Sequence, residues 1–341
     1  MSHRDITFIE VCSGCGGLST GLEQAGLTPI LLNEIEKVFC DTLRRNHPGV
    51  RIENCSMTDL SLTEFKGTVD LLTGGVPCQS FSQAGLRRGL EDTRGSLAVD
   101  FNRLINECKP NVFLVENVKG IISHNNGETL RSLMELYSNS GEYTVQYKLL
   151  NAYEYGVPQK RERVIIVGVK TELITVENLP FQFPFPHPVP ETERKVLRDV
   201  LYDVPEPTRG IQYSDRKRYI MEQVPPGGCW VNLPRELQIE YMGEKMLASG
   251  GGKRGVARRM SYDEPCLTLT TSPSQKQTER CHPSETRPFN IREYARIQTF
   301  PDSYEFCGSV SQQYKQIGNA VPVVLAKQIG SSMKNMLDKI C

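Results

Sequence analysis

The chain has no net charge: 40 lysines and arginines are matched by 40 aspartates and glutamates over 341 residues. It therefore lacks the overall basic field of many nucleic-acid binders, and any phosphate contact has to come from a local patch. It also lacks an apolar run approaching the roughly 20 residues that span a bilayer. The opening stretch MSHRDITFIE has no apolar core of the kind found in secretory signals. No membrane association is expected, and the expected location is the cytoplasm of a bacterium, or the nucleus or a viral factory in another host. The 11 cysteines are odd in number and irregularly spaced, which argues against a disulfide framework. Cys12-Ser13-Gly14-Cys15 has the spacing of half a zinc site, but Cys40 and Cys55 stand alone with no neighbouring histidine, so no metal is expected. No internal repeat or low-complexity tract is present.

What is present is ordinary globular composition, with 38% apolar and 23% charged residues. Since single cores stop growing near roughly 250–300 residues, a chain of this length is expected to form a main domain with a smaller companion. Short apolar runs at Thr7–Cys12, Pro29–Leu32, Val69–Gly74, Val112–Glu116, Gln146–Leu150 and Val164–Val169 read as strands. Helical spacing falls between them at Leu18–Ala25, Val38–Asn46, Ser96–Cys108 and Thr129–Tyr137. This alternation predicts an α/β fold with a parallel sheet, whose ligands gather beyond the carboxyl ends of the strands. From about Thr175, prolines crowd the chain and periodicity fades. It returns at Asn290–Gln298 and again at Pro322–Leu337. The expected division is a catalytic and cofactor domain at 1–174, an irregular domain at 175–286, and a returning segment at 287–341.

Several residues in this frame carry chemistry. The first strand runs into Ser13-Gly14-Cys15-Gly16-Gly17, a turn into a helix where glycine permits close ligand approach. After the second strand, Glu34 stands where an acid can accept from ribose hydroxyls, and the two features together suggest a nucleoside-containing cofactor. The third strand ends in Gly74-Gly75-Val76-Pro77-Cys78-Gln79-Ser80-Phe81-Ser82, which places Cys78 on a rigid turn at the sheet edge. The next ends in Glu116-Asn117-Val118, with an acid that is costly to bury unless it has a partner or a task. Gln159-Lys160-Arg161-Glu162-Arg163 then leads into the last apolar strand. The stretch Lys245–Arg259 holds five basic residues and no acid.

In this order, the glycine turn, Pro-Cys-Gln, Glu-Asn-Val and Gln-x-Arg-x-Arg resemble the motifs of the cytosine-C5 DNA methyltransferases. Arg292-Glu293-Tyr294-Ala295-Arg296-Ile297-Gln298-Thr299-Phe300-Pro301 and Gln316-Ile317-Gly318-Asn319-Ala320-Val321-Pro322 extend the resemblance over nearly the whole chain. The resemblance implies a Rossmann-like, S-adenosylmethionine-dependent methyltransferase sheet with a smaller target-recognition domain. It implies Cys78 as the nucleophile at cytosine C6, Glu116 on the base edge, and Arg163 with Arg161 beside O2. It further implies Gly14, Cys15, Gly16, Gly17, Glu34, Pro77 and Asn319 around the cofactor. Two positions depart from the family pattern. Cys12 stands where an aromatic residue usually lies against adenine, and Cys55-Ser56-Met57 replaces Gly-Asp-[IV], with Asp59 as the available acid.

Such enzymes act on a base flipped out of double-stranded DNA. Ser80–Leu97 resembles the mobile catalytic loop, with Gln79, Ser82, Arg87 and Arg88 as expected phosphate contacts. In the recognition region, Lys253, Arg254, Arg258 and Arg259 are the expected DNA contacts. The compact chain suits a monomeric modification enzyme of a restriction system, with a separate cognate endonuclease. A transfer-RNA methyltransferase and a catalytically silent DNA-binding relative are the alternatives. The chain keeps Gln159 and lacks the Cys-Phe-Thr tripeptide of the transfer-RNA branch, and Cys78, Glu116 and Arg163 are all in place, which speaks against loss of activity.

Overall fold

The computed structural model describes residues 5–76, 97–175, 181–205, 209–248 and 255–340. The chain divides into two compact units. The first comprises residues 1–151, 162–188 and 323–341, and the second residues 152–161 and 189–322.

The first unit is built on a seven-stranded sheet. Its strands are β1 (Thr7–Val11), β2 (Thr28–Asn33), β3 (Arg51–Glu53), β4 (Leu71–Gly74), β5 (Val112–Val118), β6 (Tyr143–Asn151) and, after the two-residue β7 (Gln159–Lys160) of the other unit, β8 (Glu162–Lys170). They lie in the order β3-β2-β1-β4-β5-β8-β6. The first five are parallel to their neighbours, while β8 runs antiparallel to both β5 and β6. Strands buried on both faces have no polar side to alternate with, so β4 reads Leu-Leu-Thr-Gly and β5 opens Val-Phe-Leu-Val. The edge strand β3 has only three residues, two of them charged, and carries no apolar run that pattern reading could detect.

Helices α1 (Gly17–Gln24), α2 (Lys37–Asn46), α3 (Leu97–Cys108) and α4 (Glu128–Ser138) alternate with these strands. The main core joins β1, β4 and β5 to α3 and α4, with Phe101, Phe113 and Tyr137 meeting edge to face. The last helix of the chain, α10 (Val323–Ile340), packs on α1. Sheet order reverses between β1 and β4, and that switch point is where ligands bind in open α/β sheets.

In the second unit, β7 pairs in parallel with β9 (Cys266–Leu267). Short helices α5 (Asp215–Glu222), α6 (Arg235–Met242) and α7 (Glu244–Ala248) are followed by α8 (Ile291–Ile297) and α9 (Val310–Asn319). A small core gathers Tyr213, Ile220, Met221, Val224, Leu233, Ala257 and Cys281. Helix α9 went unread in the sequence, although Ser309 and Gln312 form the capping box that marks its start.

The unit boundaries correct the expected ones in three places. Residues 181–188 stay with the first unit, because Gln146 of β6 donates to the Phe181 carbonyl at 2.6 Å and accepts from Phe183 N–H at 2.9 Å. Residues 287–322 belong to the second unit. Glu293 of α8 takes both ends of the Arg287 guanidinium, at 2.8 and 2.7 Å, and the Phe289 ring meets His282 edge-on. The short stretch 152–161 also joins the second unit.

Gly168 of β8 lies against the Phe113 ring, where an added Cβ would come within 2.1 Å of ring carbons. Gly168→Val should therefore destabilise the protein by about 2–3 kcal/mol, read as a lower urea midpoint at unchanged slope.

Candidate active site

Glu116 and Arg163 meet in the first unit where β5 ends beside the start of β8. Their antiparallel register sets Val118 opposite Arg163 and leaves Glu116 on the neighbouring diagonal, within reach across the strands. Arg163 Nε donates to Glu116 Oε1 at 2.6 Å, and both side chains are only 12% exposed. Its NH1 group also donates to the Glu162 carbonyl at 2.8 Å. The second carboxylate oxygen, Glu116 Oε2, faces Gly75, where even a methyl group would stand 3.5 Å away. Next along β5, Asn117 Nδ2 donates to the Val76 carbonyl at 3.1 Å. This bond ties the end of β5 to the last described residue before Pro77 and Cys78. The sequence alone assigns Asn117 no role, and the available signal was an amide next to an acid at the end of an apolar strand. Pro77, Cys78, Gln79, Ser82, Arg87, Arg88, Lys253 and Arg254 lie outside the described residues.

Arg161 departs from its expected place next to Arg163. It is 1% exposed and belongs to the second unit, where it donates to the carbonyls of Leu269 at 3.1 Å, Gly318 at 3.0 Å and Asn319 at 3.4 Å. Side chains alternate along an extended segment, so Gln159 and Arg161 share the inward face while Lys160 is exposed. Gln159 donates to Gln298 at 2.9 Å and accepts from Leu269 N–H at 2.9 Å. Gln298 in turn donates to the Ile317 and Ala320 carbonyls. Asn319 is the last residue of α9 in this unit.

The glycine turn sits at the carboxyl end of β1. Gly14 has φ +57°, and a Cβ built on it meets nothing within 4 Å, so the turn is open on that side. Its N–H donates to Glu34 Oε2 at 2.8 Å, while Glu34 Oε1 accepts from Glu36 N–H at 2.9 Å. Each carboxylate oxygen keeps further acceptor capacity, which suits a pair of ribose hydroxyls. Burial raises the Glu34 carboxyl above its ordinary range. Cys15 is buried, with its thiol pushed upward by burial, and Gly16 caps α1 in the left-handed region. Cys12 also has positive φ, at 52°, and burial pushes its thiol up to about 12, so it presents a neutral sulfur. At the other departure, Met57 is buried in the main core and Asp59 is exposed on the following turn. Arg103 of α3 holds that turn through the carbonyls of Met57 and Leu60, both at 2.9 Å.

The basic stretch of the second unit corrects a further expectation. Arg259 is 5% exposed and donates to the carbonyls of Met221 and Val224, both at 2.7 Å, and to Thr286 Oγ1 at 2.9 Å. Arg258 donates to the Gly227 carbonyl at 2.6 Å and pairs with Glu264 at 3.0 Å. A segment with little regular structure leaves many carbonyls unpaired, and these arginines satisfy them from within. Neither is presented for DNA as it stands.

Sheet order, the switch-point turn and the Glu116–Arg163 pair fit one class, the α/β methyltransferases. The family model for C-5 cytosine-specific DNA methylase matches residues 6–335. Type II methyltransferase M.Sau96I of Staphylococcus aureus is 49% identical over 340 residues, covering 99% of this chain and 77% of that protein. Type II methyltransferase M.Eco47II of Escherichia coli is 47% identical over 343 residues, covering 100% and 81%. Among solved structures, a prophage-encoded DNA modification methyltransferase of E. coli superposes with TM-score 0.70 at 25% identity, covering 98% of this chain and 99% of that one. Dnmt2 methyltransferase of S. pombe shares the fold at TM-score 0.66 and 18% identity, covering 97% and 99%. The chain belongs to the family of C-5 cytosine-specific DNA methylases. No described helix is long and apolar enough to cross a membrane, and no cluster of metal-binding side chains occurs among the described residues.

Arg259→Ala should lower stability by about 3 kcal/mol, because buried carbonyls lose their donor. The slope of DNA affinity against salt concentration should stay unchanged in that variant. A slope reduced by about one unit would instead mark Arg259 as a phosphate contact.

Proposed function

We propose that the protein methylates one cytosine within a short recognition sequence of double-stranded DNA, as the modification enzyme of a Type II restriction system. The observation that carries the residue assignment is the Glu116–Arg163 pair, set at the carboxyl end of β5 next to the strand that leads to Cys78. The Type II character of the relatives supports a cognate endonuclease acting separately, a cytoplasmic bacterial setting and a monomer on DNA.

S-adenosylmethionine fits the glycine turn, with Glu34 on its ribose hydroxyls, and supplies an electrophilic methyl group on sulfur. The open side of Gly14 and the acid tied to its N–H support this reading. Cytosine C5 is too weak a nucleophile to take that group unaided, so Cys78 as thiolate adds to C6 of the flipped base and raises electron density at C5. Glu116 closes on the base edge, passing a proton to N3 from one carboxyl oxygen and accepting from the exocyclic amine through the other, so the electron pair that the thiolate pushes into the ring is neutralised. Arg163 holds the Glu116 carboxyl in one rotamer and lends positive charge beside O2. After C5 is methylated, a solvent base takes its proton, the freed electron pair re-forms the C5–C6 double bond as Cys78 leaves as thiolate, and N3 returns its proton to Glu116.

With Arg258 and Arg259 engaged internally, the loop after β9 is the better candidate for reading bases. Gln275, Lys276 and Gln277 are exposed at its tip. Its base is pinned by Tyr294 Oη on the Thr270 carbonyl at 2.9 Å, by Lys217 Nζ on the Ser274 carbonyl at 3.0 Å, and by Arg280 N–H on the Pro273 carbonyl at 2.9 Å. Gln275 accepts from Thr278 Oγ1 at 3.1 Å and Lys276 lies over the Tyr241 ring, which leaves the exposed amide of Gln277 as the group suited to an adenine edge in the major groove.

Unmethylated plasmid incubated with labelled S-adenosylmethionine, followed by bisulfite mapping, should show one short motif converted throughout. Cys78→Ser should abolish transfer, and methylation persisting in that variant would overturn the mechanism. Arg163→Ala should slow single-turnover transfer about 100- to 1000-fold with DNA affinity nearly retained. Gln277→Ala should relax the mapped motif at one position, whereas unchanged selectivity would remove the loop from recognition.

A further inference from the structure

Glu10 is a carboxylic acid one residue before the end of the interior strand β1, 2% exposed, in register with Leu32 on one side and Thr73 on the other. A charge there has no place in a sheet core unless it is paired or neutralised. Its carboxyl meets both the hydroxyl and the backbone N–H of Ser19, in the first turn of α1. That helix has no side-chain cap of its own, since Gly16 stands at the N-cap. Glu10 therefore supplies from the strand what a capping residue would supply from the chain. The Glu10 carbonyl also accepts from Ser13 Oγ at 3.0 Å. At the other end of the same turn, Glu34 takes the Gly14 N–H. The segment Ser13–Ser19 is thus gripped by one carboxyl at each end.

We propose that Glu10 is a positioning residue for the cofactor turn, anchoring Ser19 and the start of α1, so that cofactor affinity falls where Glu10 takes on charge. This rests on the reading of Ser13–Gly17 and Glu34 as the S-adenosylmethionine site. The groups that face Glu10 are Glu23 of α1, Glu34 after β2, and the thiols of Cys12 and Cys15 in the turn. None of these is a cation. Burial, reinforced by the two neighbouring acids, lifts the Glu10 carboxyl from its ordinary 4.5 to about 8. Near neutral pH it is a neutral acid that bonds Ser19 without a buried charge. In alkaline solution it becomes a carboxylate beside two others, and the turn must shift or admit water. Because the folded value is raised, Glu10 favours the folded state most in acid, and that contribution is lost as pH climbs from about 4.5 to about 8.

The test compares wild type with Glu10→Gln and Glu10→Ala by calorimetric titration of S-adenosylhomocysteine between pH 6 and 9.5, together with urea unfolding over pH 5 to 9. Glu10→Gln mimics the neutral acid and cannot ionise. It should bind as wild type does at pH 6, then outbind it increasingly above pH 8, by at most about tenfold per pH unit. Glu10→Ala should bind weakly throughout. Glu10→Gln should also gain stability on wild type between pH 5 and 8. Parallel binding curves for wild type and Glu10→Gln would overturn the proposal. If wild type binds no S-adenosylhomocysteine at any pH, the cofactor reading itself has failed. The unfolding series then decides whether Glu10 is the ionising anchor, and a pH-independent gap there would reject it.

Discussion

A buried guanidinium cannot lose its charge, so the backbone around Arg161 has to be arranged to receive its donors. It binds carbonyls of Leu269, Gly318 and Asn319, from parts of the chain more than a hundred residues downstream. Gln159, one inward position earlier, does the same through Gln298 and Leu269. Removing either would leave buried polar groups without partners, at a cost comparable to a sizeable share of a domain's net stability. The irregular second unit depends on this knot, because its β7–β9 ladder is only two residues long and its remaining helices are short.

The same segment then changes task. After Arg161 the chain passes into the first unit, and two residues later Arg163 pairs with Glu116. One extended run of five residues thus carries two structural side chains, one exposed lysine, one acid paired on the surface with Lys119, and the arginine that pairs with Glu116. Alternation separates Gln159 and Arg161 from the exposed Lys160, while Arg163, of the same parity, belongs to a separate strand, since β7 ends at Lys160 and β8 begins at Glu162. The later block from Arg292 to Pro301 follows a similar rule. Arg292 donates to the Pro301 and Tyr304 carbonyls, and Glu293 completes the α8 capping box. Strong sequence motifs of this family are therefore not all reaction machinery in this chain, and several polar residues in them serve the backbone.

Reading by pattern worked best where burial is uniform. The buried strands β4, β5 and β8 gave nearly continuous apolar runs, and the glycine turn, Glu34 and Glu116 stood toward strand ends as the switch-point rule requires. It failed where the signal was short or the side chain long. The three-residue β3 carries charge on two of three positions. Arg258 and Arg259 looked like a phosphate-binding patch because charge runs are solvated in most proteins, yet their long stems carry the guanidinium groups inward to orphan carbonyls. Glu10 was passed over inside an apolar strand, although an acid at such a position was itself the clue.

From its sequence alone, this protein's family, the parallel strands β1 to β5 and the order of its motifs could be determined, because apolar periodicity and residue chemistry are local properties. Only the tertiary structure decided which arginine pairs with Glu116 and which are spent on carbonyls, and that β8 runs antiparallel to its neighbours. It alone showed that Asn117 reaches Val76, and that Glu10 lies under the turn gripped by Glu34. Those assignments depend on where the chain returns in space, and hydrogen bonds between residues far apart in sequence leave no periodic trace to read.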